Sequence, residues 1–198
     1  MPADAGLLTP DRRGVLGDLV PEAVASDAVM VVAFAGLVGV LAQVSFHLPG
    51  TPVPVTGQTF GVLLGGAVLG WRRGSLAMVL YVAAGLLGVP WFAGGTAGMV
   101  GAPLGYLLSY PIAGALVGAL AARGGDRTPL RTVVTMLAGT AVVYLVGVSW
   151  LAIWLHLSPA AALAEGMVPF LPGDALKLAL AAAVLPGAWR LVGRLRRS

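Results

Sequence analysis

Six apolar stretches, each nearly free of charge, constrain this chain more than any motif does. They run from about Ala28 to Phe46, Gly57 to Gly70, Gly74 to Phe92, Ala102 to Ala122, Thr132 to Leu155 and Gly173 to Leu191. A helix needs ~20 apolar residues to cross a ~30 Å hydrocarbon core. Most of the stretches reach that length, but the second has only about 14 residues and is rich in glycine. It reads either as a short, thin-spanning helix or as a bent segment sheltered by its neighbours, because lipid leaves no backbone group unsatisfied. Charged residues make up 10% of the chain, against roughly 25% in a soluble domain. The fold class that follows is an all-α integral membrane protein, a bundle of six transmembrane helices over residues 27–198. Residues 1–26 carry Asp4, Asp11, Arg12, Arg13, Asp18 and Glu22 and read as a polar cytoplasmic tail, not a signal peptide.

Arginine placement orients the bundle. Arg12 and Arg13 precede the first stretch, Arg72 and Arg73 separate the second from the third, and Arg123, Arg127 and Arg131 separate the fourth from the fifth. Arg190, Arg194, Arg196 and Arg197 cluster at the end of the sixth. The connections 47–56, 93–101 and 156–172 contain no lysine or arginine. The positive-inside rule therefore puts both termini in the cytoplasm, N-in and C-in, of a multi-pass protein of the cell (inner) membrane. The basic pI of about 10.1 is accounted for by arginines facing anionic headgroups, and no nucleic-acid partner is implied.

Catalytic signatures are missing. No phosphate-binding loop, nucleophile elbow or zinc-protease motif occurs. Cysteine is absent, and His47 and His156 are single and far apart in sequence, which argues against a metal site. Neither an enzyme nor a resident cofactor is expected.

Against this background one residue is out of place. Lys177 is the chain's single lysine, in "PFLPGDALKLAL" from Pro169 to Leu180, near the outer end of the sixth stretch. A cation set deep in the membrane costs up to ~3 kcal/mol. Asp174 lies three positions earlier, on the same helical face. Two readings fit. In one, Asp174 caps the helix and neutralises a snorkelling lysine; in the other, the pair faces the bundle interior and reads a polar ligand.

Three outer connections could close over such a site. "HLPGTPVPVTGQTF", from His47 to Phe60, has prolines at 49, 52 and 54 that forbid helix and favour an extended path. "GVPWFAGGTAGMVGAPLGY", from Gly88 to Tyr106, combines five glycines from Gly94 to Gly105 with Trp91 and Phe92. Those aromatics serve either as a wall for a small ring or as an interface anchor. The third connection is Glu165 to Gly173. Gln58, Thr59 and Tyr106 are further hydrogen-bonding candidates, or else helix-end caps.

Three blocks in order, "PVPVTGQTFGVLLGGAVLGWRRGSLAMVLYVAAGLLGVPWFAGG", "GAPLGYLLSYPIAG" and "PFLPGDALKLAL", resemble the biotin transporter family BioY. The resemblance implies a six-helix S component of an energy-coupling factor (ECF) transporter that takes up biotin as its transported ligand. It implies a membrane T component and two ATP-binding-cassette ATPases as partners on other chains. It places Asp174 and Lys177 on the motif that holds the polar part of biotin, and the loops around 47–57 and 90–101 on the lids. Some members also use an asparagine, which this chain lacks throughout; that contact is expected from Thr96, from backbone N–H groups of the glycine-rich stretch, or not at all. Ala35 and Gly39 form a small-xxx-small pair on the first helix, either a docking surface for the T component or internal packing. Other classes remain open from residues alone: a thiamine or riboflavin carrier, or a membrane enzyme or scaffold.

Overall fold

A computed structural model describes residues 14–21, 26–98 and 101–195. Six α-helices carry the fold: α1 Asp27–Gln43, α2 Gln58–Leu86, α3 Leu104–Ala122, α4 Pro129–Trp154, α5 Pro159–Gly166 and α6 Leu171–Leu195. Two antiparallel strands, β1 Ser45–Phe46 and β2 Val55–Thr56, pair Ser45 with Thr56 and Phe46 with Val55. Among the described residues three helical stretches, Leu104–Ala122, Pro129–Trp154 and Pro159–Leu195, are long and apolar enough to cross a membrane. Side chains such as Val40 at 67%, Leu145 at 72% and Ile153 at 72% exposure point outward, as lipid-facing residues would.

The second and third apolar stretches form one helical run with a reversal inside it. Gly70 sits at φ 82° and ψ 176°, outside helical space, in a region that only glycine occupies at little cost. The two legs fold back on each other there. A Cβ built on Gly74 would lie 2.9 Å from Gly66 Cα, and one on Gly66 would lie 2.5 Å from the Gly114 carbonyl oxygen of α3. Three backbones thus meet without side chains between them, and α2 and α3 form the centre of the bundle. The short, glycine-rich second stretch is one arm of a tight helical hairpin.

Local chemistry sets the other helix ends. Ser26, Thr128 and Ser158 accept from Val29 N, Arg131 N and Ala161 N at 3.4, 3.4 and 3.3 Å. Pro129 and Pro159 follow the last two caps in the first turn, where a missing N–H costs nothing. The Ser158 cap makes α5 out of a connection whose sequence reads as loop.

At the arginine-rich end, residues 14–21 are seated on the helix ends. Val15 is buried and would contact a Cβ on Gly70 at 3.3 Å. Arg73 bridges Asp18 at 3.0 Å and Asp27 at 2.8 Å, and Arg127 Nη2 donates to the Gly14 carbonyl at 2.7 Å. The part of the expected tail at 1–13 and 22–25 lies outside the described residues.

Candidate functional site

A pocket lies at the opposite end, roofed by two loops and walled by α2, α3, α4 and α6. Its roof follows from the proline-rich segment. Prolines exclude helix between His47 and Pro54, so the chain runs out along β1 and returns along β2, which brings Val53, Pro54 and Thr56 over the cavity. The second roof loop forms a single 3-10 turn, Ala93–Gly95, closed by a bridge between Phe92 and Thr96. Phe92 is 1% exposed and lines the pocket with Ala93. Its ring fills a notch at Gly85, where a Cβ would come within 2.2 Å of it, and it meets Tyr81 edge-on at 5.4 Å.

Asp174 and Lys177 both line this pocket. The α6 helix begins at Leu171 with Pro172 in its first turn, so Asp174 lies inside the helix and does not cap it. Its carboxylate accepts from side chains: Tyr144 of α4 donates to Oδ2 in a short hydrogen bond, and Lys177 Nζ donates to Oδ1 at 3.2 Å. Lys177 Nζ also donates to Thr59 Oγ1 of α2 at 2.7 Å. The pair is mostly shielded, with side-chain exposures of 13% for Asp174 and 20% for Lys177. Of the two sequence readings, the inward-facing ion pair is the one the structure adopts; the cap is not formed.

A second polar cluster sits beneath the roof. Gln58 Nε2 donates to Tyr81 Oη at 2.5 Å, and Gln58 Oε1 accepts from Thr56 Oγ1 at 2.9 Å and from Tyr110 Oη at 3.4 Å. Tyr81 Oη in turn donates to the Trp91 carbonyl at 3.2 Å. Gln58 is 4% exposed, so this network both satisfies a buried amide and ties the second roof loop to α2. Between the two clusters the walls are apolar: Phe60, Leu63, Tyr106, Met136, Val143 and Phe170. The chemistry on offer is a cation, a carboxylate and several hydroxyls around an apolar chamber, suited to a small ligand with a compact apolar body and both donor and acceptor groups.

Other sequence candidates take different places. Tyr106 lines the cavity, but its hydroxyl donates to the Gly166 carbonyl at 2.7 Å, so its proton is already committed. Trp91 does not line the pocket: its indole N–H donates to the Tyr81 carbonyl at 3.0 Å and its ring covers Gly39 of α1, 3.3 Å from where a Cβ would be. It is a peg that pins the roof loop, not a wall. Thr96 is exposed, does not line the pocket and donates to the Ala93 carbonyl at 3.0 Å within its own turn. The docking expectation for Ala35 and Gly39 is also corrected. Ala35 is fully buried and Gly39 lies under Trp91, so this pair packs within the chain.

Tyr144, Tyr110 and Tyr81 escaped the sequence reading. The signal was there: the chain has four tyrosines, all inside apolar helices, where a phenol needs a partner. Tyr106, Tyr110 and Tyr144 line the pocket and Tyr81 stands one hydrogen bond behind.

The BioY family model matches residues 13–194. The chain belongs to the BioY family. It is 38% identical over 160 residues to the probable biotin transporter BioY of Pyrococcus horikoshii, covering 79% of this chain and 92% of that protein. It is 35% identical over 154 residues to the biotin transporter BioY of Thermotoga maritima, covering 76% and 88%. The fold matches the crystal structure of the S component for biotin from an ECF-type ABC transporter with a TM-score of 0.75 at 20% identity, over 91% of this chain and 95% of that one. BioY membership agrees with the transporter reading and places the protein in a membrane.

Proposed function

We propose that the chain captures biotin with high affinity in the roofed pocket and serves uptake across the cell membrane as the S component of an ECF-type transporter. In this reading six segments span the inner membrane: α1, the two legs of α2, α3, α4 and α6. Both termini and the arginine-rich end face the cytoplasm, and the roof faces outward. The observation that carries it is the Asp174–Lys177 pair, held between Thr59 and Tyr144 and opening onto an apolar chamber. The ureido group of biotin has two N–H donors and a carbonyl acceptor, and its valerate tail ends in a carboxylate. A carboxylate and an ammonium on one helical face complement both kinds of group, while Phe92, Tyr106 and Phe170 take the ring and chain. Biotin is cargo, and no cofactor enters the reading. The chain has no phosphate-binding loop, so energy comes from a membrane T component and two ATPases on other chains.

Equilibrium binding of radiolabelled biotin to the detergent-purified protein, in competition with thiamine and riboflavin, tests it. Saturable submicromolar binding displaced by biotin alone is the expected result. Displacement by another vitamin, or no binding by folded protein, overturns it.

A further inference from the structure

The arginine-rich end uses its charges in two ways. Arg73 and Arg127 turn inward, the first onto Asp18 and Asp27, the second onto Asp126 and the ring of Trp189. Arg72 and Arg123 remain exposed, and among the described residues neither has an ion pair. Beside them an open apolar groove runs along the outer face of α3, from Ile112 past Leu116 and Ala119 to Arg123, with Trp71 as its far wall. That wall is fixed by backbone: a Cβ on Gly118 would come within 2.4 Å of both Gly70 C and Trp71 N. Trp71 is 52% exposed and carries the Arg72 guanidinium 5.0 Å from its ring centroid. From Ile112 to Ala122 the helix rises about 15 Å, close to the length of an acyl chain within one leaflet.

We infer that this groove binds an anionic phospholipid, its acyl chain along α3 and its phosphate held by Arg123 with Arg72 alongside. The assignment rests on the membrane orientation given under the proposed function, which puts both arginines at the headgroup level of the inner leaflet. Charge complementarity selects this occupant. A partner helix would have to bring its own carboxylates to this level to pair both guanidinium groups, whereas the phosphodiester of a lipid already in the leaflet satisfies them with charge-assisted hydrogen bonds. A basic residue near an anionic surface contributes about fivefold in affinity.

Native mass spectrometry of the full chain, with phosphatidylglycerol or phosphatidylcholine of the same acyl chains, tests the assignment. The wild type should retain phosphatidylglycerol at least about fivefold better, and Arg123→Gln should remove most of that preference, while Arg131→Gln should not. Ala119→Trp, which fills the groove, should lose the bound phosphatidylglycerol while biotin binding in the same sample stays unchanged. Equal retention of the two lipids by the wild type, an undiminished preference in Arg123→Gln, or full retention by Ala119→Trp overturns the assignment. So does protection of an Ala119→Cys thiol by a membrane coupling protein but not by phosphatidylglycerol. Absence of biotin binding throughout would defeat the functional reading and leave the lipid result standing.

Discussion

Lys177 and Thr59 stand 118 positions apart, yet the ammonium donates to the threonine hydroxyl at 2.7 Å. That bond joins α6 to the first turn of α2 and, with the Tyr144 bond to Asp174, holds the ion pair in place from both sides. Preorganised groups lose less freedom when a ligand arrives. Thr59→Val keeps the shape of the side chain and removes the acceptor, so biotin affinity should fall about tenfold or more. Lys177→Met strands the Asp174 carboxylate as well and should cost roughly thirtyfold or more. Calorimetric titration of the two variants ranks them; wild-type affinity in Thr59→Val would show that the hydroxyl plays no part.

The roof is latched by a phenol. Tyr81 accepts from Gln58 at 2.5 Å and donates to the Trp91 carbonyl at 3.2 Å, so Tyr81→Phe leaves the buried Gln58 amide short of a partner and the Trp91 carbonyl with only its 3.3 Å bond from Gln43 Nε2. The fold should survive, because the ring contacts with Trp91 at 5.2 Å and Phe92 at 5.4 Å remain. We expect faster deuterium uptake across residues 91–96 and a biotin dissociation rate raised roughly tenfold, in line with one lost buried hydrogen bond. Unchanged exchange in that loop would sink the latch.

Much of this arrangement is readable from sequence, and the misses have physical causes. Asp174 and Lys177 stand out because charge in an apolar run must be compensated locally, and their spacing puts them on one face. The extended roof is legible for the same kind of reason, since Pro49, Pro52 and Pro54 leave the backbone few alternatives. Trp91 and Ala35 were harder to place. An aromatic beside a glycine-rich loop can face a ligand or a neighbouring helix, and only the position of Gly39 across the bundle decides between them. The reversal at Gly70 is legible in outline, because Arg72 and Arg73 divide the second apolar stretch from the third, but its tightness depends on the positive φ of Gly70 and on the close approach of the two legs, which no local pattern encodes. Thr59 is legible as a hydrogen-bonding candidate, but its pairing with Lys177, like that of Tyr144 with Asp174, joins distant helices, which no local pattern encodes.

Close backbone packing at the hairpin gives a stability prediction. A methyl group at Gly118 has to occupy space 2.4 Å from Gly70 C and Trp71 N, atoms that cannot swing aside as a side chain would. Gly118→Ala should therefore destabilise by about 1–3 kcal/mol, whereas Gly36→Ala, with nothing within 4 Å of the added carbon, should be neutral or slightly stabilising through helix propensity. Thermal unfolding in one detergent compares them. Equal melting temperatures would mean that α3 can shift away from the turn at little cost.

Asp126 makes stability depend on pH in a direction that can be derived. The side chain is fully buried, accepts from Trp189 Nε1 at 2.7 Å and lies 3.3 Å from Arg127 Nε, a contact without hydrogen-bond alignment. Burial raises its pKa above the ordinary value of 3.8, outweighing the opposing pull of the Trp189 hydrogen bond and the Arg127 charge. The folded state then holds the proton to a higher pH than the unfolded chain does. The stabilisation is fully present below the unfolded value and is lost as pH rises through the folded one. Asp126→Asn keeps an acceptor for Trp189 and removes the titration, although it leaves Arg127 without its counter-charge at every pH. Melting temperatures measured from pH 4 upward should therefore fall more for the wild type than for Asp126→Asn until the folded carboxyl has ionised, after which the two curves should run parallel. A wild type that instead gains stability over the variant with rising pH would mean that the Arg127 charge dominates and that the carboxyl is held ionised.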